Sequence, residues 1–214
     1  MLLNEITRRN YPTDKATIDK LCKTYDITNY TINPDWSLDV NGNVNLYKKN
    51  LIILPLRFRN VTGDFNCSYN DLTSLEGCPQ IVTGSFSCQN NNLTSLVGGP
   101  KETGDFYCNG NKLTSLIGCP KETGWFDCSH NQITSLKGCP EKTGNFYCND
   151  NPNLSFFEMR YLLYSKTRQA KLQLSLRNQT RYLLIIKKGI LNRPSAITEL
   201  KKLDEEKLNT KLYR

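Results

Sequence analysis

Phe65, Phe86, Phe106, Phe126 and Phe146 stand 21, 20, 20 and 20 residues apart, and the chain around each repeats with them. A cysteine follows two residues later each time (Cys67, Cys88, Cys108, Cys128, Cys148), then an asparagine three beyond it (Asn70, Asn91, Asn111, Asn131, Asn151). Leu72, Leu93, Leu113 and Ile133 come next, then Leu75, Leu96, Leu116 and Leu136, and a turn such as Gly77-Cys78-Pro79 closes the unit. Twenty-one residues before Phe65, Val44, Leu46, Leu51 and Leu54 fall in register, with Lys49 where the asparagine belongs, which makes six units. A unit of about 20 residues cannot bury its own apolar face, so such a chain is stable only as a stack of coils.

Each position has a physical reason. Residues i and i+2 of a strand share a face, so Phe and Cys both point inward. The asparagine amide can satisfy buried backbone groups where the chain leaves the strand, and neighbouring units would form a ladder. Gly and Pro then turn the chain without a helix. The pattern F-x-C-x-x-N-x-L-x-x-L is a leucine-rich repeat with Phe and Cys in place of strand leucines. The segment NNNLTSLVGGPKETGDFYCNGNKLTSLIGCPKETGWFDCSHN resembles a group of phage-encoded leucine-rich-repeat proteins, and the resemblance runs from about Ile27 to Leu154. It implies a phage product acting in bacterial cytoplasm. Secreted bacterial effectors join similar repeats to a cysteine-dependent ubiquitin ligase, but residues 155–214 contain no cysteine, which rules that reading out.

The expected fold is therefore an α/β solenoid: a leucine-rich-repeat parallel β stack over 44–154, a helix–hairpin cap over 1–43 and a basic helical segment over 155–214. Ile18, Leu21, Cys22 and Tyr25 have helical spacing, and Ser37–Leu46 reads as a hairpin turning at Asn41-Gly42. Ser155-Phe156-Phe157-Glu158 has capping-box spacing and opens a helix through about Arg177. The apolar run Tyr182–Ile186 fits a helix or a strand, with helix preferred, and Ser195 opens a last helix.

Charge separates these regions. Residues 1–60 carry a net +3, residues 61–154 a net −4 and residues 155–214 a net +9. No stretch approaches the ~20 apolar residues of a membrane span, and MLLNEITRRN lacks the pattern of a secretory signal, so a cytoplasmic protein with reduced thiols is expected. One histidine, His130, leaves little for histidine catalysis. The inward cysteines include no C-x-x-C pair, and Gly99 interrupts the second column of Cys78, Cys119 and Cys139. They read as core, and neither a metal site nor a cofactor is expected. Asp105 and Asp127 have no nucleophile or phosphate loop beside them, so no catalytic residue is assigned.

Strand residues flanking the inward Phe and Cys must project from the inner curve of the solenoid. They are Asp64/Asn66/Ser68, Ser85/Ser87/Gln89, Asp105/Tyr107/Asn109, Trp125/Asp127/Ser129 and Asn145/Tyr147/Asn149, which include three Asp, two Tyr, one Trp and no Lys or Arg. Aromatics among small polar residues suit protein recognition, and the carboxylates disfavour nucleic acid. The expected function is a non-enzymatic binding module using Asp105, Tyr107, Asn109, Trp125, Asp127, Tyr147 and Asn149 to hold a partner with a basic patch. Blocking or redirecting a bacterial host protein would suit a phage product. An alternative is nucleic-acid binding through Arg160, Lys166, Arg168, Lys171, Arg177, Arg181, Lys187 and Lys188, which mix with Tyr161, Tyr164 and Tyr182.

Overall fold

The computed structural model describes residues 11–154, 171–174 and 184–185. The chain opens with helix α1 (Lys15–Thr24), whose N-cap Asp14 accepts a hydrogen bond from the Thr17 N–H at 2.8 Å. Ile18 and Cys22 on α1 are buried, and Leu21 and Tyr25 pack beside them against the core, so all four apolar residues fall on the expected face. Strands β1 (Tyr30–Ile32) and β2 (Leu38–Val40) follow and pair antiparallel.

This hairpin is not the one expected from the sequence. Its turn lies at Asn33–Ser37, where Asp35 accepts from both the N–H and the hydroxyl of Ser37 and Trp36 takes a φ of +64°. Asn41-Gly42 instead forms a corner. Beyond it β3 (Val44–Asn45) leaves β2 and pairs with the next coil, Val44 opposite Phe65. An apolar Val44 gains a buried neighbour in the next rung, and Gly42 at φ +134° supplies the bend.

From there the chain winds as a parallel β-solenoid of about five turns. One side is a sheet in the order β1-β2-β4-β6-β8, adding β4 (Phe58–Val61), β6 (Ile81–Val82) and β8 (Glu102–Thr103). The other is a longer sheet with the repeat strands β3, β5 (Phe65–Asn66), β7 (Phe86–Ser87), β9 (Phe106–Tyr107), β10 (Glu122–Asp127) and β11 (Lys142–Tyr147) in sequence order. Pairing of the repeat strands in this longer sheet is in register, Phe65 opposite Phe86, Phe86 opposite Phe106, and on to Phe146. The Leu-x-x-Leu arc closes each coil without helix, and α1 is the only helix among the described residues. The repeat region is therefore all β. Its second short sheet, continued by β4, β6 and β8, went unassigned in the sequence, where strands of two to four residues leave almost no periodicity to detect.

The core is a set of columns parallel to the stack axis. The five repeat Phe side chains are buried and stacked, with ring centroids 5.2 to 5.6 Å apart. Beside them runs the buried cysteine column, and all nine cysteines of the chain are free thiols. Burial pushes the Cys88, Cys108 and Cys128 thiols well above their ordinary range. The asparagine ladder forms as expected. Asn111 Nδ2 donates to the Cys88 and Cys108 carbonyls at 3.1 and 3.0 Å, while its Oδ1 accepts from Leu93 N–H at 3.0 Å. Asn70, Asn91, Asn131 and Asn151 repeat this between their own rungs, so each side chain ties two coils. Glycine closes the arc for a steric reason: at Gly118, φ +98°, an added Cβ would lie 2.7 Å from the Leu96 carbonyl carbon.

Past the repeats, β12 (Lys171–Leu174) adds to β11 in parallel, Phe146 opposite Leu172, and β13 (Leu184–Ile185) pairs antiparallel with β12. The expected helix through Arg177 does not hold at these residues, nor does the helical preference at Leu184–Ile185. The open edge of β11 needs backbone partners. Lys171-Leu172-Gln173-Leu174-Ser175-Leu176 alternates with a period of two, which is a strand signature. The other C-terminal expectations lie outside the described residues.

Candidate binding face on the long sheet

The repeat positions that flank the inward Phe and Cys form three columns across the outer surface of the long sheet. Their polar side chains first serve the backbone. In the column before each Phe, Asn43 Oδ1 accepts from Asp64 N–H, Asp64 Oδ1 from Ser85 N–H and Asp105 Oδ1 from Trp125 N–H, each at 2.8 Å. In the next column, Asn45, Asn66 and Asp127 each accept from the N–H two residues ahead, Asp127 from Ser129 at 2.9 Å. Asp105 thus has two tasks, because its Oδ2 also lies 3.3 Å from the Tyr107 hydroxyl that donates to it.

The expected aromatic anchors converge. Trp125 is 47% exposed and tilts against Tyr147 with ring centroids 5.9 Å apart. With the Asn145 amide turned to accept, its Oδ1 takes the Trp125 indole N–H at 2.9 Å, which fixes the ring. Tyr107 and Tyr147 are half-buried and occupy the register positions on either side of Asp127. Burial, with Asp105 and then Asp127 adding negative charge, pushes the Tyr107 phenol up to about 12. Asn109 and Asn149 line the third column. Ser129 Oγ donates to Asn149 Oδ1 at 2.7 Å, and Asn109 Oδ1 is buried with no hydrogen-bond partner among the described residues.

Next to Tyr107 the small residues Ser85 and Ser87 leave a groove of about 290 Å³, walled also by Asp64, Asn66 and Gln89. Phe65 and Tyr107 give its lining an apolar part beside the polar side chains. At the front end of the sheet is a pair that sequence reading missed: Tyr47 and Tyr69 meet edge to face at 5.2 Å, with Lys48 Nζ 5.3 Å from both ring centroids. Tyr69 lies in the left-handed region at φ +56°, as do Asn90, Gly110, His130 and Asp150 at the same repeat position. That shared turn swings the residue outward, and exposed His130 pairs with Asp150 at 3.3 Å rather than entering a site.

Of the basic residues suggested for nucleic acid, only Lys171 lies in a described strand, at the register position opposite Asn145. Arg160, Lys166, Arg168, Arg177, Arg181, Lys187 and Lys188 lie outside the described residues. Among the described residues no group of His, Cys, Asp or Glu is arranged to hold a metal, and no helix is long and apolar enough to cross a membrane. Compared with protein-family models, with curated proteins and with solved structures, the chain finds no match.

Proposed function

We propose that this chain is a non-enzymatic protein-binding module whose long-sheet face captures a partner bearing a basic patch. One observation carries the reading: Tyr107, Trp125 and Tyr147 gather around Asp127 on a face whose five central rungs present no Lys or Arg. Partly exposed aromatics held rigid by hydrogen bonds lose little entropy on binding and supply much of an interface's energy. Carboxylates beside them favour cationic partners and repel phosphate backbones. The repeat phrasing further supports a leucine-rich-repeat protein of phage origin that blocks or redirects a host protein in the bacterial cytoplasm.

The test is a nuclease-treated pull-down from bacterial lysate, comparing wild type with a Tyr107→Ala/Trp125→Ala/Tyr147→Ala variant. A host protein captured by wild type and lost from the variant, with the β spectrum of the variant unchanged, is the expected result. Equal capture by a folded variant overturns the reading.

A further inference from the structure

We propose that Tyr107, Trp125, Asp127 and Tyr147 form a cage for one arginine side chain presented by a basic segment of the bound protein. The inference rests on the protein-binding reading above and names the group that the face selects.

Three consecutive rungs place Tyr107, Asp127 and Tyr147 in one column, with Asp127 opposite Tyr107 on one side and Tyr147 on the other. One strand spacing is about 4.8 Å, so a carboxylate lies between two phenols. Trp125 projects from the same side of the sheet two residues before Asp127 and closes the third wall against Tyr147. Two of these walls are held by hydrogen bonds. The Trp125 backbone is held by Asp105 and its indole by Asn145, while the Tyr107 hydroxyl is held by Asp105.

The cage has an unanswered charge. Asp127 Oδ1 is taken by the Ser129 N–H, and Oδ2 has no hydrogen-bond or ion-pair partner among the described residues. Lys121 and Lys142, at the start of these two rungs, are committed elsewhere, to Glu141 and Glu122. A cation within about 6 Å of aromatic centroids gains from the ring quadrupoles, and here it would gain from Asp127 as well. Arginine fits better than lysine. Its guanidinium can lie flat on an indole or phenol while one edge donates to a carboxylate, whereas a compact ammonium must shed tightly held water to do both. The 290 Å³ groove beside Tyr107 gives room for the chain flanking that arginine, and Asp64 at its far wall favours further positive charge.

Asp127→Asn tests the charge without breaking the turn, because Asn66 makes the same bond to Ser68 N–H at 3.0 Å. A displayed library of random peptides is panned on the full-length protein, and enriched peptides are synthesised with arginine or its neutral isostere citrulline. The expected result is an arginine shared by the enriched peptides. Citrulline and Asp127→Asn should each weaken binding at least tenfold, with little further loss when combined. Peptides that need the three aromatics but tolerate citrulline and Asp127→Asn overturn the cage and leave the protein-binding reading standing. A library yielding no binder that depends on the aromatics overturns both.

Discussion

The Trp125 backbone N–H donates to Asp105 Oδ1 of the preceding rung at 2.8 Å, so the most exposed aromatic on the face rests on a carboxylate one coil away. Side chains that would be read as free to meet a partner are thereby part of the sheet's own bonding. Asp105→Ala should lower stability by about 1 kcal/mol, the usual net worth of one such bond. Asp105→Asn should be nearly neutral, since Asn43 makes the equivalent bond to Asp64. Gly124→Ala should resemble the alanine variant, because its Cβ would come 2.5 Å from Asp105 Oδ1. Thermal melts of the three variants check this; equal losses for Asn and Ala would contradict it.

The asparagine ladder is costlier to break. Asn111→Ala strands the buried Leu93 N–H and removes one of the two amides that meet the Cys88 and Cys108 carbonyls, which keep Asn91 and Asn131 respectively. A stranded buried donor costs about 1–3 kcal/mol and the lost carbonyl bonds add to it, so a loss of about 2–3 kcal/mol is expected in urea unfolding. Asn111→Asp should fall nearly as far, because it keeps the acceptor but turns a buried carboxylate oxygen toward the Cys88 and Cys108 carbonyls. Exposed Lys112→Ala, next in sequence, should change stability by less than about 0.5 kcal/mol.

Stacked rings set the spacing of the core. Phe106→Ala removes a fully buried ring between Phe86 and Phe126 and should cost about 4 kcal/mol. Phe106→Leu fills part of the space and should cost clearly less. Denaturant midpoints for the two, at unchanged slope, are the check.

High pH should unfold the protein through its thiols. Burial raises Cys139 and Cys22 to about 11 and Cys148 to about 12 from an ordinary 9.0, so the folded state keeps protons that the unfolded chain releases. Their contribution is complete below pH 9 and is lost as pH rises from there toward the folded values, at up to about 1.4 kcal/mol per pH unit for each thiol. Urea midpoints measured from pH 7 to 10.5 should hold steady with respect to these groups and then drop. Cys148→Ala should shallow that drop, and an unchanged slope would show that the column does not titrate on unfolding.

The stack could be read from the residues because its period is global: Phe, Cys, Asn and Leu recur together, and each answers to one column of the core. Local features were harder. Asn41-Gly42 carries the strongest short hairpin signal in the chain, yet Val44 pairs with Phe65 because burial in the next rung outweighs turn preference. The alternation at Lys171–Leu174 lay inside the helix expected from the capping-box spacing of Ser155 and Glu158, and the edge of β11 decides the outcome. At the candidate face, the residue types Tyr107, Trp125 and Tyr147 were legible, and so was their outward direction. The bonds that commit Asp105 to Trp125 and Asp127 to Ser129 were not, because they depend on which lone pair meets which N–H across a coil.

The ladder bonds, the ring stack and the strand pairing all point along one axis, which gives the molecule a mechanical direction. A pull on its two ends along that axis meets the rungs one after another, so resistance at any moment is that of a single coil. A pull across the axis would strain many rungs together. A partner gripping the face of several rungs therefore acts as a splint, joining in parallel what the chain itself joins only in series.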